Sequence, residues 1–134
     1  MYKRIIIGAV CVVVALVVFF GGKYLYDVAN YKRILEETEI STPDLSLIQD
    51  GTYNGYFGTA IVSADVDVIV SDHKITDIVI NSHKNERGAT AESIIDEVLA
   101  QQSLAVDTIS GATNSSKVIL KAIEFALEST ETRE

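Results

Sequence analysis

The sequence predicts an α+β domain behind an N-terminal membrane-spanning helix. Three observations lead there. An uncharged apolar run opens the chain, two-residue alternation follows Asp50, and helical spacing fills the last third. A run of strands followed by a run of helices is the pattern of α+β architecture. The boundaries read as an anchor at 1–23, a connector at 24–49, a domain at 50–128 and a charged tail at 129–134.

Ile5–Phe20 carries no charge, and extended through Gly22 the run has 18 residues. At a rise of about 1.5 Å per residue that is roughly 27 Å of helix, just enough to cross a hydrocarbon core. Lys3 and Arg4 would also suit a signal peptide, but the run is long for one and no Ala-x-Ala follows it. Gly22-Lys23-Tyr24-Leu25-Tyr26 supplies the Lys and Tyr favoured at a membrane interface, so a retained single-pass anchor in the lipid bilayer is expected. Lys3 and Arg4 nearly balance Lys23, Lys32 and Arg33, and the short N-terminal tail favours the cytoplasmic side for itself. Cys11 is the single cysteine, which excludes an intrachain disulfide and a Cys-x-x-Cys redox pair. Beyond the anchor, Val28, Tyr31, Ile34 and Leu35 keep helical spacing until Ser41-Thr42-Pro43 ends it.

In the domain, Thr52–Val62 reads as a strand whose Gly55 and Gly58 mark a bulge or a close backbone approach. Val66, Val68 and Val70 alternate with Asp65, Asp67 and Ile69 in a second, and Thr76, Ile78 and Ile80 continue the alternation in a third. Ser71-Asp72-His73-Lys74 is the hairpin turn between them, giving a three-stranded antiparallel meander. Ala91, Ile94, Ile95, Val98 and Leu99 then define one amphipathic helix, and Val118, Ile119, Ala122, Ile123, Ala126 and Leu127 a second. Thr113, Asn114, Ser115 and Ser116 are all competent to cap the second helix.

The chemistry concentrates ahead of that second helix. Asp107-Thr108-Ile109-Ser110-Gly111-Ala112-Thr113 brings a carboxylate, hydroxyls and small residues to a helix start. Unpaired N–H groups and the positive end of the helix dipole there suit an anion such as phosphate. Three of the 11 Lys and Arg precede Tyr24, leaving eight against all 19 acidic residues in the rest, a balance that argues against nucleic acid. The sequence shows no nucleophile–base pair, no metal-ligand spacing, no P-loop and no nicotinamide fingerprint.

Asp107–Thr113 resembles the flavinylation motif of the FMN-binding domain family, roughly Asp-x-x-Ser/Thr-Gly-Ala-Thr. The likeness extends through Asp50-Gly51-Thr52-Tyr53-x-Gly55, Lys74-Ile75-Thr76-Asp77-Ile78 and Gln102-Ser103-Leu104-x-Val106-Asp107, in family order. That family includes flavin-carrying subunits of the sodium-pumping NADH:quinone reductase and of the Rnf complex. The resemblance implies FMN joined through its phosphate to the hydroxyl of Thr113 by a dedicated flavin transferase. It implies that the transferase reads Asp107, while Ser110, Gly111 and Ala112 shape the presenting turn. Ser115 and Ser116 are candidate caps or phosphate contacts. His83 and Arg87, in the loop His83–Gly88, are candidates to touch the flavin, and Tyr53, Tyr56 and Phe57 are candidates to stack on it. The related subunits carry their flavin outside the cytoplasmic membrane, which implies extracytoplasmic or membrane redox partners and an electron carrier without a substrate pocket. A membrane-anchored module that binds FMN or another small ligand without covalent attachment is the alternative reading, and a flavin-free structural membrane protein is a third.

Overall fold

The computed structural model describes residues 1–84 and 89–129. The chain forms two compact units, Met1–Asn30 and Tyr31–Glu134. Helix α1, Tyr2–Glu37, supplies the first unit and the opening turns of the second. In the first unit the large apolar side chains from Ile5 to Phe20 are exposed. The helix is long and apolar enough to span a membrane. Its burial changes at Tyr31 and Leu35, which share one face and are buried.

The second unit is an antiparallel sheet in the order β1-β2-β3 with helices on one side, the α+β arrangement expected. β1 is Gly51–Gly58, β2 Ser63–Ser71 and β3 Lys74–Lys84. The β1–β2 register is unbroken from Gly51↔Val70 to Gly58↔Ser63. β1 stops at Gly58, short of the Val62 expected, because Thr59 turns the chain. The Thr59 N–H donates to the Val62 carbonyl at 2.7 Å, and the Thr59 hydroxyl accepts the Val62 N–H at 3.1 Å.

The β2–β3 turn is as read from sequence, with Asp72 (φ 54°) and His73 (φ 59°) both left-handed. That is the backbone of a two-residue hairpin turn whose twist matches the strands. Asp50 and the connector brace it: the Asp72 N–H donates to Asp50 Oδ1 at 2.8 Å, and His73 Nδ1 lies 3.1 Å from the Ile48 carbonyl. The alternation expected in β3 does not hold. Val70 pairs with Ile75 and Ile69 with Asp77, so Thr76 is an extra residue in a bulge. The slip turns Ile75 and Ile78 inward and leaves Thr76 exposed.

α2, Ile94–Gln101, follows a 3-10 turn at Ala89–Ser93 that takes up Ala91, and it lies against β3. α3, Thr113–Glu128, crosses β1 and β2. Val66, Val68, Val118, Ile119, Ile123 and Leu127 are fully buried between them. At about 1.5–3 kcal/mol per large apolar side chain, this layer dominates the stability of the unit. Gly55 sets how closely the layers meet, since a Cβ there would lie 2.0 Å from the Ala122 carbonyl oxygen and 2.6 Å from the Ala126 nitrogen.

The connector belongs to this unit from Tyr31 onward. Leu35 and Ile48 are buried at 1% and 2% exposure. The Asp44 carboxylate accepts the Ser46 hydroxyl at 2.6 Å and its N–H at 3.0 Å, capping a 3-10 turn at Leu45–Leu47. Those two bonds hold its pKa below the ordinary 3.8.

Candidate functional site

The loop from Gln102 to Ala112 carries the candidate site, and it is fixed at both ends. At its root Gln102 is left-handed, φ 51°, and ends α2. Its side-chain amide donates to the Ile75 and Leu99 carbonyls and accepts the Ile75 N–H, each at 2.8 Å. Gln102 therefore pairs with the open edge of β3 as another strand would. Leu104 is buried, and its N–H donates to Thr42 Oγ1 at 3.0 Å, which ties the loop to the connector.

At the far end the hydroxyl of Ser116 closes the loop. It accepts the Ile109 N–H at 3.1 Å and donates to the Ala112 carbonyl at 2.7 Å. The Ala112 N–H donates back to the Ile109 carbonyl at 2.9 Å. Gly111 sits inside this closed turn at φ +78°, and a Cβ there would meet open space, so backbone conformation is what demands glycine. None of the four expected caps occupies the cap position. Ala112 stands there without a side-chain cap, and Thr113 is the first helical residue. The first turn of α3 keeps unpaired donors and holds no acidic side chain.

Burial separates the candidate hydroxyls. Thr113, Ser110 and Gly111 are exposed, whereas Ser115 and Ser116 are buried at 5% and 0%. Asp107 and Ser110, with Thr108 and Ile109, line a recess of about 300 Å³ whose other wall is Glu97 and Gln101 of α2. Sequence reasoning passed over Glu97 and Gln101. Their only signal was the i, i+4 spacing on the polar side of α2, where Gln101 Nε2 donates to Glu97 Oε2 at 3.2 Å.

None of the other described candidates is among the residues that line this recess. The His83 imidazole is 1% exposed on β3 and faces Glu92 at 3.2 Å, joining the strand to the 3-10 turn that packs against α3. Arg87 lies outside the described residues. Tyr53 donates to the Gln49 carbonyl at 2.7 Å, and Phe57 meets Phe125 edge-on at 5.8 Å. Strand alternation puts Tyr56 on the opposite sheet face from both, 57% exposed.

An exposed hydroxyl on the first residue of a 16-residue helix, behind an open glycine turn, fits a phosphate held covalently or by the helix N-terminus. Among the described residues no group of His, Cys, Asp and Glu is placed to hold a metal ion.

A family model described as FMN-binding domain matches residues 55–128. The chain is also 36% identical over 81 residues to an NADH:acrylate oxidoreductase of Vibrio harveyi, a match over 58% of this chain and 8% of that protein. No solved structure matches it. The aligned stretch takes in the motif loop, both helices of the domain and most of the sheet, and the chain belongs to the FMN-binding domain family, with FMN as its cofactor.

Proposed function

We propose that the protein is a membrane-anchored flavoprotein that holds FMN on the Thr113 hydroxyl and relays electrons between partner proteins outside the cytoplasmic membrane. The observation that carries the attachment is the difference in burial. Of the three hydroxyls at the start of α3, Thr113 is exposed, while Ser115 is buried and Ser116 is committed to closing the loop. Bound FMN supplies reversible electron uptake and release, and the protein supplies placement and electrostatics. Gly111 and Ala112 hold the loop so that the Thr113 hydroxyl projects, and the free N–H groups of the first turn face the phosphate. The exposed Asp107 and Ser110 offer the flavin transferase a surface to read.

The anchoring rests on the exposed apolar length of α1, and the outward orientation on the short basic N-terminal tail and the family likeness. The Vibrio harveyi protein is named for NADH and acrylate, but the match covers too little of it to bring either to this chain.

The test is an intact mass. Co-expressed with a flavin transferase, the chain gains one FMN less one water, and peptide mapping places it on Thr113. Thr113→Ala abolishes the gain, and Thr113→Ser retains part of it because a hydroxyl remains. Full labelling of Thr113→Ala overturns the assignment. Flavin that co-purifies but is released by denaturant establishes the non-covalent module instead.

A further inference from the structure

Lys117 follows Thr113 by one helical turn on the same face of α3, so their Cβ atoms are neighbours at about 6 Å. Its half-buried ammonium donates to the Leu35 carbonyl at 3.2 Å. Leu35 belongs to the last turn of α1, where carbonyls lack helical partners and no basic side chain of α1 itself stands. One turn further along α3, Lys121 makes the matching contact to the Glu39 carbonyl at 3.0 Å. The two lysines differ in charge balance. Lys121 is paired with Glu124 at 3.0 Å, whereas among the described residues Lys117 has no carboxylate within ion-pair distance. An ammonium has three donors and the Leu35 carbonyl occupies one of them, so Lys117 retains its charge and further donors.

We propose that Lys117 is the counter-ion of the phosphodiester formed on Thr113, bridging the cofactor's phosphate to the last turn of α1. The inference rests on the Thr113 attachment proposed above. A phosphodiester carries one negative charge at neutral pH, and Lys117 is the cation that the helix repeat places beside it. Lys117 would then serve as a binding residue for the cofactor arm in addition to capping α1.

A merely structural lysine would cap α1 equally with or without flavin, so the discriminating measurement is a double-mutant cycle. Full-length protein in detergent is prepared with and without flavin, as wild type and as Lys117→Gln, and the mass of each flavin sample is mapped first. Urea unfolding is followed by circular dichroism. The expected result is that Lys117→Gln raises the unfolding constant about two- to fivefold more in the flavinylated protein, the range of a partly exposed ion pair. That excess shrinks as salt is raised, and Lys117→Arg retains it. The phosphodiester resonance in the phosphorus NMR spectrum also moves in Lys117→Gln. Where Lys117→Gln does not fold, Lys117→Met keeps the aliphatic stem and removes the charge. Equal losses with and without flavin, or an unmoved phosphorus resonance, overturn the counter-ion role. Flavin mapped to a residue other than Thr113 overturns the attachment reading instead.

Discussion

Gly55 and Gly111 both resist alanine, for different reasons and by different amounts. At Gly55 the added carbon collides with backbone of α3, at 2.0 Å from the Ala122 oxygen, and the helix must move off the sheet. Gly55→Ala is expected to cost at least about 1–3 kcal/mol, as overpacking does. At Gly111 there is room, and the cost is the left-handed backbone alone, about 1 kcal/mol. Urea midpoints of the two variants, compared with wild type, check the order. Sequence reading offered a bulge or a close approach at Gly55, and the unbroken β1–β2 register selects the close approach. Capping preference does not separate the hydroxyls of Thr113, Ser115 and Ser116, and in the sequence the family likeness alone singles out Thr113. Only the direction in which α3 leaves the loop separates an exposed hydroxyl from buried ones.

Among the elements, the α2–α3 loop depends on one side chain for its root. Gln102→Ala removes three hydrogen bonds and leaves the Ile75 N–H and carbonyl on a sheet edge without their partner. The expected loss is about 1–3 kcal/mol, with faster amide exchange at Ile75 than elsewhere in β3. Gln102→Gly relieves the left-handed backbone but still loses the bonds, so it recovers only part of the stability. The signal for Gln102 was present in the family likeness and had no mechanism until the strand edge was in view. Element types and order were legible from period alone, because hydrophobic spacing of two and of three to four residues records which face is buried. Phase in β3 was not. The extra residue Thr76 puts Ile75 inward where Thr76 was expected, a second shift follows at Asp65/Val66, and a bulge leaves no mark on composition.

Across the molecule, the long apolar helix and the charge balance were legible because both are sums over many residues. The role of the connector was only half legible, since the helical spacing of Tyr31 and Leu35 shows a helix but not what its buried face packs on, and Ile48 stands outside any pattern. Two expectations belong at this scale. Ala60 is exposed, so Ala60→Cys in a Cys11→Ala background should react with a membrane-impermeant thiol reagent on intact cells. Labelling only after lysis would place the flavin domain in the cytoplasm. The purified flavinylated protein should also be reduced reversibly by dithionite yet oxidise NADH negligibly without a partner reductase. Rapid, saturable NADH oxidation by the isolated protein would replace the carrier with an enzyme.

The contacts of Glu124 have a practical consequence for where this domain can be cut. Glu124 is 3% exposed, and besides Lys121 it is satisfied by Ser41, through the hydroxyl at 3.1 Å and the N–H at 3.4 Å. A fragment begun at Asp50, near the start of the family match, removes Ser41 from that carboxylate and empties the places of Leu35 and Ile48. Each lost large side chain costs about 2–5 kcal/mol, against a net stability of about 5–15 kcal/mol for an ordinary domain. A minimal autonomous fragment therefore starts at Tyr31. The 31–129 fragment should give a dispersed amide spectrum and a cooperative melt, and the 50–129 fragment neither.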